Sequence, residues 1–115
     1  MAGLFIRIDL RPGGRIGPGK IALLEAIART GSISGAGRAL RMSYRRAWIL
    51  VDELNLLFTT PVVTAQPGGP GGGGASLTAF GASLVRHYRA IETEAQAAAE
   101  ARLAELERAL VRDSS

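Results

Sequence analysis

Ser43-Tyr44-Arg45-Arg46 is a run whose residue types and spacing offer recognition chemistry. A serine ahead of an apolar-periodic segment makes a helix N-cap, so the following side chains project from the first turn of that helix. A guanidinium there can bond bidentately to guanine O6 and N7, worth about 1–3 kcal/mol of discrimination between bases. Arg45 and Arg46 are the candidates for that role. Arginines at a helix N-terminus oppose the macrodipole and gain nothing locally, a conflict that functional sites tend to carry. The competing reading makes Arg45 and Arg46 solvated surface charges, and Trp48 is assigned to the core. Ser32, Ser34, Arg38, Arg41 and Tyr44 are suited instead to phosphate oxygens, which position a protein on a duplex without reading its sequence. Other chemistries lack parts. The chain has no cysteine, and His87 is its only histidine. Disulfide scaffolds, thiolate metal sites and most histidine-based catalysis are therefore excluded. No paired carboxylates or nucleophile–base set converge, so neither enzyme activity, nor a metal, nor a cofactor is expected.

The elements that must position these side chains lie in Gly31–Leu57. Ser32 caps a short helix from Ile33 to Leu40, with Ile33, Ala36 and Leu40 inward. Gly35 and Gly37 each cost up to roughly 1 kcal/mol in a helix and are tolerable where another backbone passes close by. After a three-residue turn (Arg41, Met42, Ser43) the second helix runs to Leu57, with Ala47, Leu50, Val51, Leu54 and Leu57 as its buried stripe. This is the sequence form of a helix-turn-helix, whose second helix enters the DNA major groove. A scaffold helix precedes it, with Pro18 in its first turn and a body from Lys20 to Arg29. Ile21, Leu24, Ile27 and Ala28 share its apolar side, Leu23 sits on the margin, and Gly31 closes it in a left-handed conformation.

Leu4–Leu10 alternates with period two and reads as a half-buried strand, broken by a turn at Arg11-Pro12-Gly13-Gly14. Such a strand must pair, within this chain or with a partner. Pro61–Ala65 and Ala75–Thr78 read as two further short strands around a Gly-rich stretch from Gln66 to Gly74. A P-loop would need Lys-Ser/Thr after the last glycine, where Ala75-Ser76 stands, so phosphate catalysis is unsupported. A flexible linker is one reading of this stretch; the preferred one is a mobile wing beside the reading helix. Gln66, Gly68, Gly69 and Gly71 would then follow the minor-groove edge through their backbone N–H groups. Thr78 caps a long helix from about Phe80 to Arg112. Leu84, Tyr88, Ile91, Ala95, Ala99, Leu103, Leu106 and Leu110 recur along it at coiled-coil-like spacing. A helix of about 30 residues is ~45 Å long and outruns so small a domain, so its far end should meet a second copy or fray.

Composition agrees. Of 115 residues 47% are apolar and only 5% aromatic, which suits closely packed helices. Residues 1–78 carry nine Lys/Arg against four Asp/Glu, whereas 79–115 carry five against six. A basic head on a near-neutral tail fits polyanion binding at one end and self-association at the other. No apolar run approaches the ~20 residues of a membrane span, and no signal peptide is recognisable, so a cytoplasmic location is expected.

With these residues placed, the chain resembles the N-terminal DNA-binding domain of the ModE family, the molybdate-responsive transcription regulators, and more distantly the LysR-type winged helix. The matching stretches are GPGKIALLEAIARTGSIS, AL-x-MSYRRAW, DELNLLF and GGGGASLTAFG, in order between Gly17 and Gly81. The resemblance implies a mainly α fold with a small β-hairpin: a winged helix-turn-helix over 1–78, its wing at about 62–78. It also implies a dimerisation helix over 79–115, with the Tyr44–Arg46 turn reading DNA and a homodimer formed through the N-terminal strand and the long helix. Three departures matter. Family members carry an oxyanion-binding region after the long helix, and this chain stops at Ser115, so direct molybdate sensing is not expected of it. Wing positions often basic in the family are uncharged here. Arg41 stands in the turn where the family commonly has glycine, which costs on the order of 1 kcal/mol if φ is positive. The expected function is a sequence-specific DNA-binding regulator. The alternative is a dimeric interaction module that pairs with a full-length ModE-type regulator and binds DNA weakly or not at all.

Overall fold

A computed structural model describes residues 3–66 and 74–111. Helix α1 spans Pro18–Thr30 with proline in its first turn, and Gly31 ends it at φ 77°, donating its N–H to Ile27 O at 2.8 Å. Ile21, Leu23, Leu24, Ala26 and Ile27 are all fully buried. The expected stripe is corrected here: Leu23 is central rather than marginal, and Ala28 is exposed. The cause is position. Neighbours lie on several sides of α1, and a surrounded helix loses the single apolar stripe of a surface one.

Helix α2, Ile33–Ala39, begins where Ser32 Oγ accepts the Gly35 N–H at 2.8 Å. A Cβ on Gly37 would lie 3.3 Å from Ala47 Cβ and 3.5 Å from Met42 O. Glycine thus lets α2 settle against the next helix, which is the close approach its presence implied. The chain turns at Arg41, the one non-glycine residue with positive φ (57°) among those described. Helix α3, Tyr44–Leu57, buries Ala47, Leu50, Val51 and Leu54, with Leu57 only half-buried.

Strands β1 (Ile8–Leu10) and β2 (Gly14–Ile16) form an antiparallel hairpin, with Ile8 opposite Ile16 and Asp9 opposite Arg15. The expected Leu4–Leu10 strand is therefore shorter and finds its partner within the chain, and Gly14 belongs to β2 rather than to the turn. Leu4, Ile6 and Ile8 alternate inward as the period-two pattern required, but Leu10 is exposed. Strands β3 (Val63–Ala65) and β4 (Ala75–Leu77) make the second hairpin, Thr64 facing Ser76. Two small hairpins are present, where one was expected.

Helix α4 runs Ala79–Arg108, 30 residues, and stops short of the expected Arg112. Thr78 Oγ1 caps it by accepting the Gly81 N–H at 2.9 Å and donates to Pro61 O at 2.6 Å. A Cβ on Gly81 would fall on Val62 O, so α4 can start against the residue preceding β3 only with glycine there. The molecule extends 58 × 38 × 19 Å, its long dimension set by the free half of α4. The architecture is mainly helical and compatible with a helix-turn-helix at α2–α3.

Candidate nucleic-acid interface

The apolar side of α3 fixes its outward side. With Ala47, Leu50, Val51 and Leu54 in the core, Tyr44, Arg45 and Arg46 fall on exposed positions of the first turn. Ser43 Oγ accepts the Arg46 N–H at 3.0 Å, which anchors that turn. Tyr44 is 60% exposed and meets the Trp48 ring edge-on at 6.2 Å. Trp48 is half-buried, packed against the core but not enclosed by it. Its indole N–H is buried without a hydrogen-bond partner.

From α2, Ser34 accepts a 3.4 Å hydrogen bond from Arg38, and both, with Arg41, border the same turn. Ser32 is half-buried with its oxygen engaged in capping, so only its hydroxyl proton remains to reach a phosphate. Among the described residues, Arg38, Arg41, Arg45 and Arg46 face no carboxylate within salt-bridge distance, whereas Arg7, Arg15, Lys20, Arg89 and Arg108 do. Four guanidinium groups are thus gathered at α2–α3 with their charge uncompensated, able to donate charge-assisted bonds to a polyanion.

On the second hairpin, Gln66 donates its backbone N–H to Gly74 O at 2.7 Å and is exposed. Gly68, Gly69 and Gly71 lie outside the described residues. What ties this hairpin to α3 is Asn55, which the sequence reading did not single out. Its Oδ1 accepts from Val62 N (2.8 Å) and Val63 N (3.0 Å), and its Nδ2 donates to Val63 O (3.1 Å). The available signal was a carboxamide lying between Leu54 and Phe58 beside an inward apolar stripe. Ala75 N donates to Gly31 O at 2.8 Å, so the hairpin's second strand is held at the α1–α2 junction as well.

Helix α4 supports the site from behind. Arg89 grips Glu25 of α1 with two bonds, 2.6 and 3.0 Å, and holds Glu92 at 2.7 Å. The Arg89 hydrogen bonds hold the Glu25 carboxyl below its ordinary range against the opposing effect of burial, and raise the guanidinium's own proton affinity. Tyr88, placed by its spacing at a dimer seam, is instead buried in its own protomer, donating to Ile6 O at 2.6 Å. Burial pushes its phenol up. Leu84 also packs partly against the core. Of the other seam candidates, Ala95, Ala99 and Leu103 are half-buried and Ile91 is exposed. Leu106 and Leu110 are two-thirds exposed. Among the described residues no group of His, Cys, Asp or Glu gathers as metal ligands, and no helix is long and apolar enough to cross a membrane.

No family model matches the chain. It is 54% identical over 82 residues to the molybdenum-pterin-binding protein MopB of Rhodobacter capsulatus, covering 71% of this chain and 30% of that protein. It is 42% identical over 91 residues to the molybdenum transport protein ModE of Azotobacter vinelandii, covering 79% and 34%. The DNA-binding transcriptional dual regulator ModE of Escherichia coli K12 matches at 42% over 71 residues, covering 62% and 27%. The chain spans about a third of the length of the curated relatives it matches. Its homologues are thus molybdenum-pterin-binding proteins and ModE regulators, none of them named as an enzyme.

Proposed function

We propose that the chain is a sequence-specific DNA-binding unit of a ModE-type transcriptional regulator, a winged helix-turn-helix over residues 1–78 that acts as a homodimer through α4. The observation that carries this reading is the exposed Tyr44–Arg46 turn of a helix whose other face is locked in the core, with Arg38 of α2 and Arg41 of the turn adding two more arginines that face no carboxylate. Arg45 and Arg46 read base edges in the major groove, while Tyr44, Ser34, Arg38 and Arg41 hold phosphates. The β3–β4 hairpin is the wing and lies along the adjacent minor groove. Ile91, Leu103, Leu106 and Leu110 face the second copy, so the two reading helices meet half-sites about 34 Å apart or a multiple of that. Double-stranded DNA and a second copy of the chain are the partners; sensing of an oxyanion is not assigned to these residues.

Fluorescence anisotropy with duplex tiles of the gene's own upstream region, competed by random duplex, tests the reading. One tile bound far more tightly than random DNA, with that preference lost in Arg45→Ala, is the expected result. An absence of binding to any duplex at low salt would overturn it.

A further inference from the structure

A second basic surface lies on the flank of α3 that α2 leaves open. Arg7 and Arg15 of the first hairpin region, Lys20 of α1 and Arg46 of α3 line a groove of about 270 Å³ whose walls hold no carboxylate. Next to it, a wider depression of about 610 Å³ adds Asp9 and Glu53 to Arg15, Lys20 and Arg46. The narrow part is the one lined by cations without a carboxylate. Asp9 accepts from Arg7 at 3.1 Å and from Arg15 at 3.3 Å, fixing both guanidinium groups side by side at the rim. Both arginines remain more than half exposed. Lys20 is largely covered, donating to Arg15 O and lying 3.6 Å from Glu53, so it closes the floor. Four cations against these two carboxylates leave the surface positive.

We propose that this groove seats the phosphodiester backbone of the same duplex that α3 reads, so that the β1–β2 hairpin is a second clamp on DNA. The inference rests on the reading proposed for α3. A helix 10–12 Å across fills a major groove about 12 Å wide, so the two backbones must pass along the elements flanking it. Arg46 belongs to both surfaces, at the reading turn and in the groove wall, which makes them continuous. The contacts of Arg7, Arg15 and Lys20 are to phosphate and read no sequence.

The test is the salt dependence of binding to a mixed-sequence duplex, by anisotropy, for native protein and the double variant Arg7→Ala/Arg15→Ala. Arg86→Ala/Arg102→Ala, on exposed positions of α4 outside the groove's lining, removes equal charge. Loss of two phosphate contacts lowers the log–log salt slope by about 1.8, so the native advantage shrinks about twelvefold between 50 and 200 mM salt. The α4 control should keep the native slope, and Arg7→Gln/Arg15→Gln, which retains donors for Asp9, should follow the alanine variant. A native slope in the hairpin variants, or an equal drop in the control, overturns the clamp while leaving the α3 reading intact. A native protein that binds no duplex overturns both.

Discussion

Replacing Asn55 by leucine should separate the second hairpin from α3, and the size of the effect follows from three hydrogen bonds. Val62 and Val63 are fully or nearly fully buried, so their backbone groups cannot exchange Asn55 for water without opening the hairpin. Each bond contributes about 1 kcal/mol net, and a stranded N–H costs about 1–3 kcal/mol. Leucine offers no partner to the two N–H groups and the carbonyl that Asn55 serves. A loss of about 3 kcal/mol is expected, out of a total of roughly 6–17 kcal/mol for a chain this size. Tm should fall by roughly 12–18 °C at fixed protein concentration. Urea unfolding gives the free energy, and native-state hydrogen exchange locates it: the Val62 and Val63 amides should lose protection before those of α1. Asn55→Asp keeps the two acceptor functions but sets a carboxylate oxygen against Val63 O, and should fall between native and leucine. A loss under 0.5 kcal/mol with unchanged protection at Val62 and Val63 would refute the role given to the Asn55 hydrogen bonds.

Arg41→Gly relieves a side chain held at φ 57° and should raise stability by about 0.5–1 kcal/mol in urea unfolding, while weakening binding to all duplexes alike. Gly81→Ala should lower stability by about 1–3 kcal/mol although alanine is the better helix former, because its Cβ falls on Val62 O and the start of α4 must shift. Glu25 has a folded pKa depressed below its ordinary 4.5, so its pair with Arg89 stabilises above that pH and loses its effect as pH falls through the lowered value. Arg89 is 41% exposed, so solvent screening limits the loss in Arg89→Ala to about 1 kcal/mol at pH 7, and the difference from native should shrink in acid.

What periodicity and capping chemistry encode was legible in the sequence. Ser32, Ser43 and Thr78 cap the helices expected of them, Gly31 is left-handed, and the buried side of α3 is right to within one residue. The failures have a common cause: they depend on what surrounds an element rather than on its own pattern. Gly14-Arg15-Ile16 has no alternation to announce a strand, and becomes one because β1 needs a partner and Ile16 a core. Leu23 and Ala28 exchange roles because α1 is enclosed. Tyr88 has the spacing of a seam residue, yet the N-terminal segment crosses α4 and covers it. Asn55 is silent in any hydrophobic pattern, since its task is to satisfy two backbone N–H groups brought near by a loop.

The places where local stability is sacrificed fall together on the molecule. Arg41 holds a left-handed conformation, Arg45 and Arg46 sit at the wrong end of a helix dipole, and the Trp48 N–H is buried without an acceptor. Each costs on the order of 0.3–3 kcal/mol, and each could be removed by one substitution. Elsewhere the chain follows the rules of its local chemistry: Gly81 sits where a Cβ would collide, Arg89 of α4 is paired with Glu25 of α1, and the caps of α2 and α4 are made. The departures surround one exposed helix turn, where the proposed contact with DNA would offset their cost. On the reading proposed above, the arginines of that turn match a polyanion and the exposed start of α3 matches a major groove, so both features answer to the same partner.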